Sequence, residues 1–379
     1  MKILARAIAM SVALATSSAF ADQVVKIGYA GPLTGAIAHI GKDSQYGAQL
    51  AIDEANEQNI RIKGESVKFV LDVQDDQGDP KTAVTVAQKL VDDHVVGLVG
   101  HINSGATLAT SKVYSDAGIA QISPSSTNPQ FTRQGMKTTF RTIGDDRDVA
   151  DALVSYVVDN LKAKQIVVVD DRTAFGQAFS DAAVESLARR GITPAGREYT
   201  TDQSVDFRGI LTNLKSNQPQ VLIYGGVDAQ AGPMRRQMTS LGMSGTVFAS
   251  CTIETGKFVQ LAGVEAAEGS ISSESGYPIS QLPSGEEFTK RFAKYGKPVL
   301  YSPYAYDAAW ALIKAMQLAN STTPADILVA LHKISFNGVS GEVSFDQKGD
   351  LRTSHVSLFK ESKDKWNPID MVAVKGRGQ

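Results

Sequence analysis

Short apolar runs that alternate with amphipathic helical stretches set the strongest limit on what this chain can fold into. Residues 24–29, 67–73, 95–99 and 119–122 are each a run of strand length. Between them, 42–56 carries Tyr46, Leu50, Ala51, Ile52 and Ala55 at helical spacing, 83–91 reads as a second helix, and a third begins near Ala106. Strands separated by helices pair in parallel, and a parallel sheet needs cover on both faces. The alternation then restarts. Helices at 149–161, 177–190, 206–216 and 230–241 flank strands at 165–169, 192–200, 221–224 and 247–249. The pattern repeats without any repeat at the level of residues. From Gly269 the order changes, with helices at 286–295, 304–318 and 324–332 and extended runs at 343–345, 355–359 and 371–374. Helices that follow a complete second unit imply a return to the first. The prediction is an α/β protein of two doubly wound parallel-sheet lobes joined by a three-stranded hinge. The first lobe would hold 22–143 plus 275–350 and the second 144–274 plus 351–379, with crossings near Ile143, Glu274 and Asp350. Such a hinge favours closure around a ligand.

Residues 1–21 read as a secretory signal peptide. Lys2 and Arg6 give a positive start, 7–15 is apolar, and Ala19-Phe20-Ala21 is a small-residue cleavage signal, so cleavage is expected after Ala21. No later stretch reaches the roughly 18 apolar residues of a membrane helix. Loss of Lys2 and Arg6 takes the formal charge from −2 to −4, which gives no reason to expect nucleic-acid binding. Cys251 is the single cysteine, so no internal disulfide is possible and stability must come from core burial. By itself Cys251 reads as a small buried hydrophobe.

Ligand sites in open α/β sheets lie beyond the carboxyl ends of the strands. The run at 95–99 ends in a loop that leads to Ser104 and Gly105, and the run at 119–122 ends in Ser123-Pro124-Ser125-Ser126-Thr127. Hydroxyls and free N–H groups at a helix start suit an anion such as a carboxylate. The second unit offers Asp171, Phe175, Asp228, Cys251 and Glu254 at corresponding ends. Hydroxyls facing carboxylates would match a zwitterion, although caps and turns also use these residue types. Asp75-Asp76-Gln77-Gly78-Asp79-Pro80 invites a calcium reading, but the order is wrong and the bidentate Glu is missing. Asp79 capping a helix with Pro80 at its first position is the simpler account. No nucleophile elbow, S-x-x-K, P-loop or G-x-G-x-x-G is present, and the five histidines lack zinc spacing. No catalytic residue, metal or cofactor is expected.

Several stretches together resemble the periplasmic leucine/isoleucine/valine-binding proteins, the amino-acid receptors of ABC importers with the type I periplasmic-binding fold. They are IGYAGPLTGAIAHIGKDSQYGAQLAIDEAN, DDQGDPKTAVTVAQKLV, GHINSGATLATSKVY, ISPSSTNPQFTRQG, DDRTAFGQAF, YGGVDAQAGPMRRQM and LAGVEAAEG. The resemblance implies that Ser104 and Thr127 bind a ligand α-carboxylate, with Ser125 at a backbone-contact position. Phe175 falls where the family has a tyrosine, Val227 lies on a second-lobe contact loop beside Asp228, and Ile40 matches a position lining the side-chain pocket. An acid that binds the α-ammonium is usual after the strand at 247–249. Cys251 occupies that position, with Glu254 and Asp228 as substitutes. The implied protein is a monomeric periplasmic receptor, not an enzyme. It would take a branched-chain amino acid or related small carboxylate and deliver it to an ABC permease in the inner membrane. A ligand sensor of the same fold, or a receptor for an aromatic or other non-amino carboxylate, is the alternative. An exported hydrolase has no nucleophile–base pair to support it.

Overall fold

A computed structural model describes residues 23–282 and 284–375. The expected signal peptide and its cleavage after Ala21 lie outside the described residues. The first sheet is built from β1 (Gln23–Gly31), β2 (Arg61–Ile62), β3 (Glu65–Asp75), β4 (Gly97–Gly100), β5 (Ala120–Ser123) and β6 (Thr139–Arg141), in the order β2-β3-β1-β4-β5-β6. All its pairs are parallel except the short β2–β3 hairpin. β4 and β5 are buried at every residue, as a strand covered on both faces must be. The helix Ala38–Glu57 and the long helix Ser302–Ala319 pack on each other and on this sheet. Gly47 permits their contact, because a Cβ there would stand 2.1 Å from the Ser302 carbonyl oxygen. Buried residues between Leu282 and Phe345 join this first hydrophobic core.

The second sheet comprises β7 (Ile166–Asp170), β8 (Gly196–Tyr199), β9 (Val221–Gly225), β10 (Val247–Ser250) and β11 (Ile271–Ser275). A separate hairpin, β12 (Ser335–Asn337) with β13 (Glu342–Ser344), follows. β14 (Thr353–Glu361) and β15 (Trp366–Lys375) then return to the second sheet, whose order is β15-β14-β11-β10-β9-β7-β8. Two details differ from the sequence reading. That reading has no strand between 122 and 149, whereas β6 pairs with β5 and forms the sheet edge. The second sheet is mixed, since β14 and β15 run antiparallel to β11. A strand that enters from a hinge crossing and returns as a hairpin needs no helical crossover, so antiparallel pairing is its shortest route.

The crossings are tied to one another. Gly144 N–H donates to Ser275 Oγ at 2.7 Å, and Ser357 Oγ donates to the Gly276 carbonyl at 2.6 Å. Arg141, fully buried, donates to the Ser126 and Asn128 carbonyls and to Thr132 Oγ1, and its Nε lies 2.7 Å from Asp350. No helix among the described residues is long and apolar enough to cross a membrane.

Candidate ligand-binding cleft

Ser104 is the first residue of the helix Ser104–Asp116 and is buried to 3% exposure. Its partner loop starts at Ser123, the last residue of β5. Ser126 Oγ donates to Ser104 Oγ at 3.3 Å, so the two strand-end loops meet. Ser125 Oγ donates to the Ile102 carbonyl at 2.8 Å, and Ser126 N–H to Ser123 Oγ at 2.9 Å. Ser125 therefore braces the loop with its side chain. Thr127 differs: its hydroxyl is buried and makes no well-formed hydrogen bond within the protein.

Asp146, which the sequence reading missed, lies beside Thr127. It opens the helix Asp146–Ser155 immediately after the first hinge crossing, and its N–H donates to the Thr127 carbonyl at 2.8 Å. The residue is fully buried, and neither carboxylate oxygen makes a well-formed hydrogen bond. Burial pushes its carboxyl up to about 7. The Asp145 charge adds to the rise, while the Thr127 hydroxyl and Arg141 pull the other way. The only signal in the sequence was an acid in the first turn of a helix, and ordinary capping explains that pattern equally well.

On the second lobe, Phe175 sits in the first turn of the helix Ala174–Arg189, half-buried and leaning on Phe179 at 6.4 Å between ring centres. Asp171 accepts from Thr173 N–H at 3.0 Å and Thr173 Oγ1 at 2.6 Å, so it organises its own turn. Burial pushes its carboxyl up to about 6. Val227 caps the helix Asp228–Ser240. Asp228 is fully buried and already engaged: Thr255 Oγ1 donates to Oδ2 at 2.6 Å, and His39 Nε2 from the first lobe lies 2.8 Å from the same oxygen. That pair crosses the cleft. So does Asn128 Nδ2, which donates to the Ala174 carbonyl at 2.7 Å. The lobes are therefore closed on each other. Ile40 is buried in the first lobe's core, and its neighbour His39 makes the crossing.

Cys251 is buried, with a thiol pushed well above its ordinary value by burial and by the charges of Glu274 and Asp146. Glu254 is partly buried and also pushed up, first by burial and then by Glu274. Glu274, absent from the sequence-predicted set, turns back under this loop from β11. Its carboxylate accepts from Ser272 Oγ at 2.5 Å, and the backbone N–H groups of Thr252, Ile253 and Glu254 favour its ionised form. Burial nevertheless pushes it up to about 7. Tyr301 is also buried, and Glu274, Cys251 and Asp146 act on its hydroxyl. Asp43 fixes its position by accepting from the N–H groups of Val299, Leu300, Tyr301 and Ser302. Thr127 and Asp146 are thus adjacent, and the Asp146 charge acts on the buried Cys251 and Tyr301. A separate cavity of about 490 Å³ at the hinge, between Thr142, Ser275, Tyr277, Tyr304 and His355, contains none of the predicted site residues. Among the described residues no group of His, Cys, Asp and Glu could hold a metal ion.

A closed crevice between the two sheets, lined by buried hydroxyls and carboxyls, has the form of a ligand-binding cleft. The family model "Periplasmic binding protein" matches residues 24–364. The chain belongs to the periplasmic binding protein family. This periplasmic binding protein is 35% identical over 348 residues to "Leu/Ile/Val-binding protein homolog 1" of Brucella melitensis biotype 1, covering 91% of this chain and 92% of that one. Its fold is similar to that of the leucine-binding protein LivK of Thermotoga maritima, with a TM-score of 0.85, 24% identity, and coverage of 92% and 98%. It is also similar to a solute-binding protein of R. palustris solved with benzoate, at a TM-score of 0.82, 18% identity, and coverage of 94% and 98%.

Proposed function

We propose that this periplasmic binding protein captures an aliphatic, branched-chain amino acid between its lobes, as a monomer, and hands it to an ABC permease of the inner membrane. It releases the ligand chemically unchanged. We place the lobes at 22–143 plus 275–350 and 144–274 plus 351–379, a division supported by the separate cores around the two sheets. Cleavage after Ala21 would free the chain into the periplasm.

The observation that carries this reading is the pairing of Thr127 with Asp146. The Thr127 hydroxyl acts on the Asp146 carboxylate, yet no well-formed hydrogen bond joins them, and buried groups held so incompletely are costly unless something else satisfies them. A zwitterion does so: its carboxylate takes the Ser104 and Thr127 hydroxyls, and its ammonium takes Asp146. Asp228 has one oxygen held by His39 and Thr255 and the other unpartnered, and Glu274 accepts from Ser272. Asp146, with neither oxygen in a well-formed hydrogen bond and Thr127 beside it, is therefore the acid best placed to serve. The relatives at this identity carry Leu/Ile/Val-binding names, which favours an aliphatic side chain, with Phe175 and Val227 as its apolar wall. Ser104→Ala and Thr127→Ala should each weaken leucine binding by about 1–3 kcal/mol in calorimetric titration, the usual loss for a hydrogen bond to a charged group.

A second reading, a carboxylate without an ammonium, is favoured by Cys251 at the position where the family resemblance places an acid. Calorimetry in buffers of different ionisation enthalpy separates the two. Asp146 in the closed state titrates near 7, above the ordinary carboxyl range, so without a facing cation it holds a proton from about pH 4 up to about pH 7. Leucine, isoleucine or valine should bind at about pH 6 with no proton uptake and with release of at most about one proton, because the ammonium favours ionised Asp146. Benzoate would take up about one proton, and its affinity would rise as the pH falls through 7. Absence of heat from all three amino acids would remove the amino-acid assignment.

A further inference from the structure

The loop at 75–80, with three carboxylates and no metal geometry, has a use that depends on its neighbours. We propose that Asp76 is a positioning residue for ligand binding, acting through the buried His101 ring to fix the two loops that carry Ser104 and Thr127. The inference rests on the reading of those loops as the carboxylate site. Asp76 and His101 are both fully buried. Asp76 Oδ2 lies 2.6 Å from His101 Nδ1, and His101 Nε2 lies 3.1 Å from the Tyr114 hydroxyl. Asp76 Oδ1 accepts from Gly78 N–H at 2.8 Å, and Asp76 N–H donates to the Gly31 carbonyl at 3.1 Å. The ring is thereby clamped from β3 on one side and from the helix Ser104–Asp116 on the other.

The His101 backbone passes the constraint on. Its carbonyl accepts from Ser123 Oγ at 2.7 Å and from Thr107 Oγ1 at 3.1 Å. The next carbonyl, Ile102, takes Ser125 Oγ. Ser123 Oγ in turn receives the Ser126 N–H, and Ser126 Oγ reaches Ser104. From Asp76 to Ser104 every step is a buried hydrogen bond or a single residue of chain. Buried polar networks of this kind have one low-energy arrangement when fully satisfied and a large penalty when one member is lost. Loops held so need no ordering when the ligand arrives, and the site is preorganised. Asp75 plays a parallel part for the first loop, accepting from Leu33 N–H at 2.8 Å and Thr34 Oγ1 at 2.6 Å.

The test uses the full chain, first without ligand. In Asp76→Ala, hydrogen exchange at 101–106 and 123–127 should be about tenfold faster than in the parent, with amides of the second sheet unchanged. Asp76→Asn should restore slow exchange. Its amide can donate to Nδ1 while the opposite imidazole tautomer donates to the Tyr114 oxygen. Should Asp76→Ala fail to fold, Tyr114→Phe removes only a hydroxyl and should speed exchange in the same segments by about threefold. The second measurement is a cycle of leucine affinities. Asp76→Ala should weaken binding about tenfold in the parent but by no more than about twofold when Ser104→Ala is already present. Unchanged exchange in both segments, or two losses that simply multiply, would overturn the role of Asp76. Failure of the parent protein to bind leucine would count against the amino-acid reading alone, because the exchange result still decides the brace.

Discussion

Asp146→Asn is expected to weaken leucine binding by about 3 kcal/mol, roughly a hundredfold, without any loss of stability in the ligand-free protein. The ammonium of a bound amino acid is sealed from water once the lobes close. It then needs a carboxylate in contact, and removing one partner of a buried pair leaves the other charge uncompensated. The remaining acids are poorly placed to take over. Asp228 gives one oxygen to His39 and Thr255, Asp171 gives one to Thr173, and Glu274 accepts from Ser272. Glu254 is a rival, as is the second oxygen of Asp228, but burial with Glu274 nearby already disfavours the ionised form of Glu254. A loss of less than about threefold on Asp146→Asn, together with a large loss on Glu254→Gln, would transfer the role to Glu254. The same Asp146→Asn change should spare or strengthen binding of a carboxylate that has no ammonium, since the cost of burying an unpaired ionised acid disappears.

The second large effect concerns Arg141. Its guanidinium is fully buried, lies 2.7 Å from Asp350, and donates to two carbonyls and a hydroxyl. It joins β6, the loop at 126–132 and the third hinge crossing. Arg141→Met keeps most of the volume, leaves the Ser126 and Asn128 carbonyls without their donor, and leaves Asp350 to Arg133 and Thr132. The expected loss is about 2–4 kcal/mol of stability in the first lobe. Urea unfolding can read that lobe alone, because one of the two tryptophans, Trp310, lies in the first core and the other, Trp366, lies on β15. In a Trp366→Phe background the fluorescence midpoint should fall with an unchanged slope. A loss below about 1 kcal/mol would mean that the cost of desolvating the guanidinium nearly cancels what its partners return.

Both expectations depend on groups that the sequence presents without emphasis. Asp146 stands in a run of charged residues that any helix start could show. His39 and Asp228 are 189 positions apart and meet only when the lobes close. Glu274 reads as a crossing-point residue, yet its carboxylate occupies the turn after β10. The three acids of the 75–79 loop have one composition and three separate uses: Asp75 holds the loop at 33–34, Asp76 holds His101, and Asp79 caps its helix by accepting from Thr82 N–H at 2.8 Å. Of these, only the cap has a local signature, because its partner lies three residues away.

Apart from the short β2 and β6, the chain by itself determined most of its strands and helices and the strand-end loops that carry Ser104 and Thr127. Those follow from the spacing of apolar residues and from local stop signals, which act over a few positions. Only the packed molecule decided which acid is left without a partner and which are spent on bracing. Burial and hydrogen-bond partners depend on residues brought together from distant parts of the chain, and those two quantities decide which carboxylate is free for a ligand.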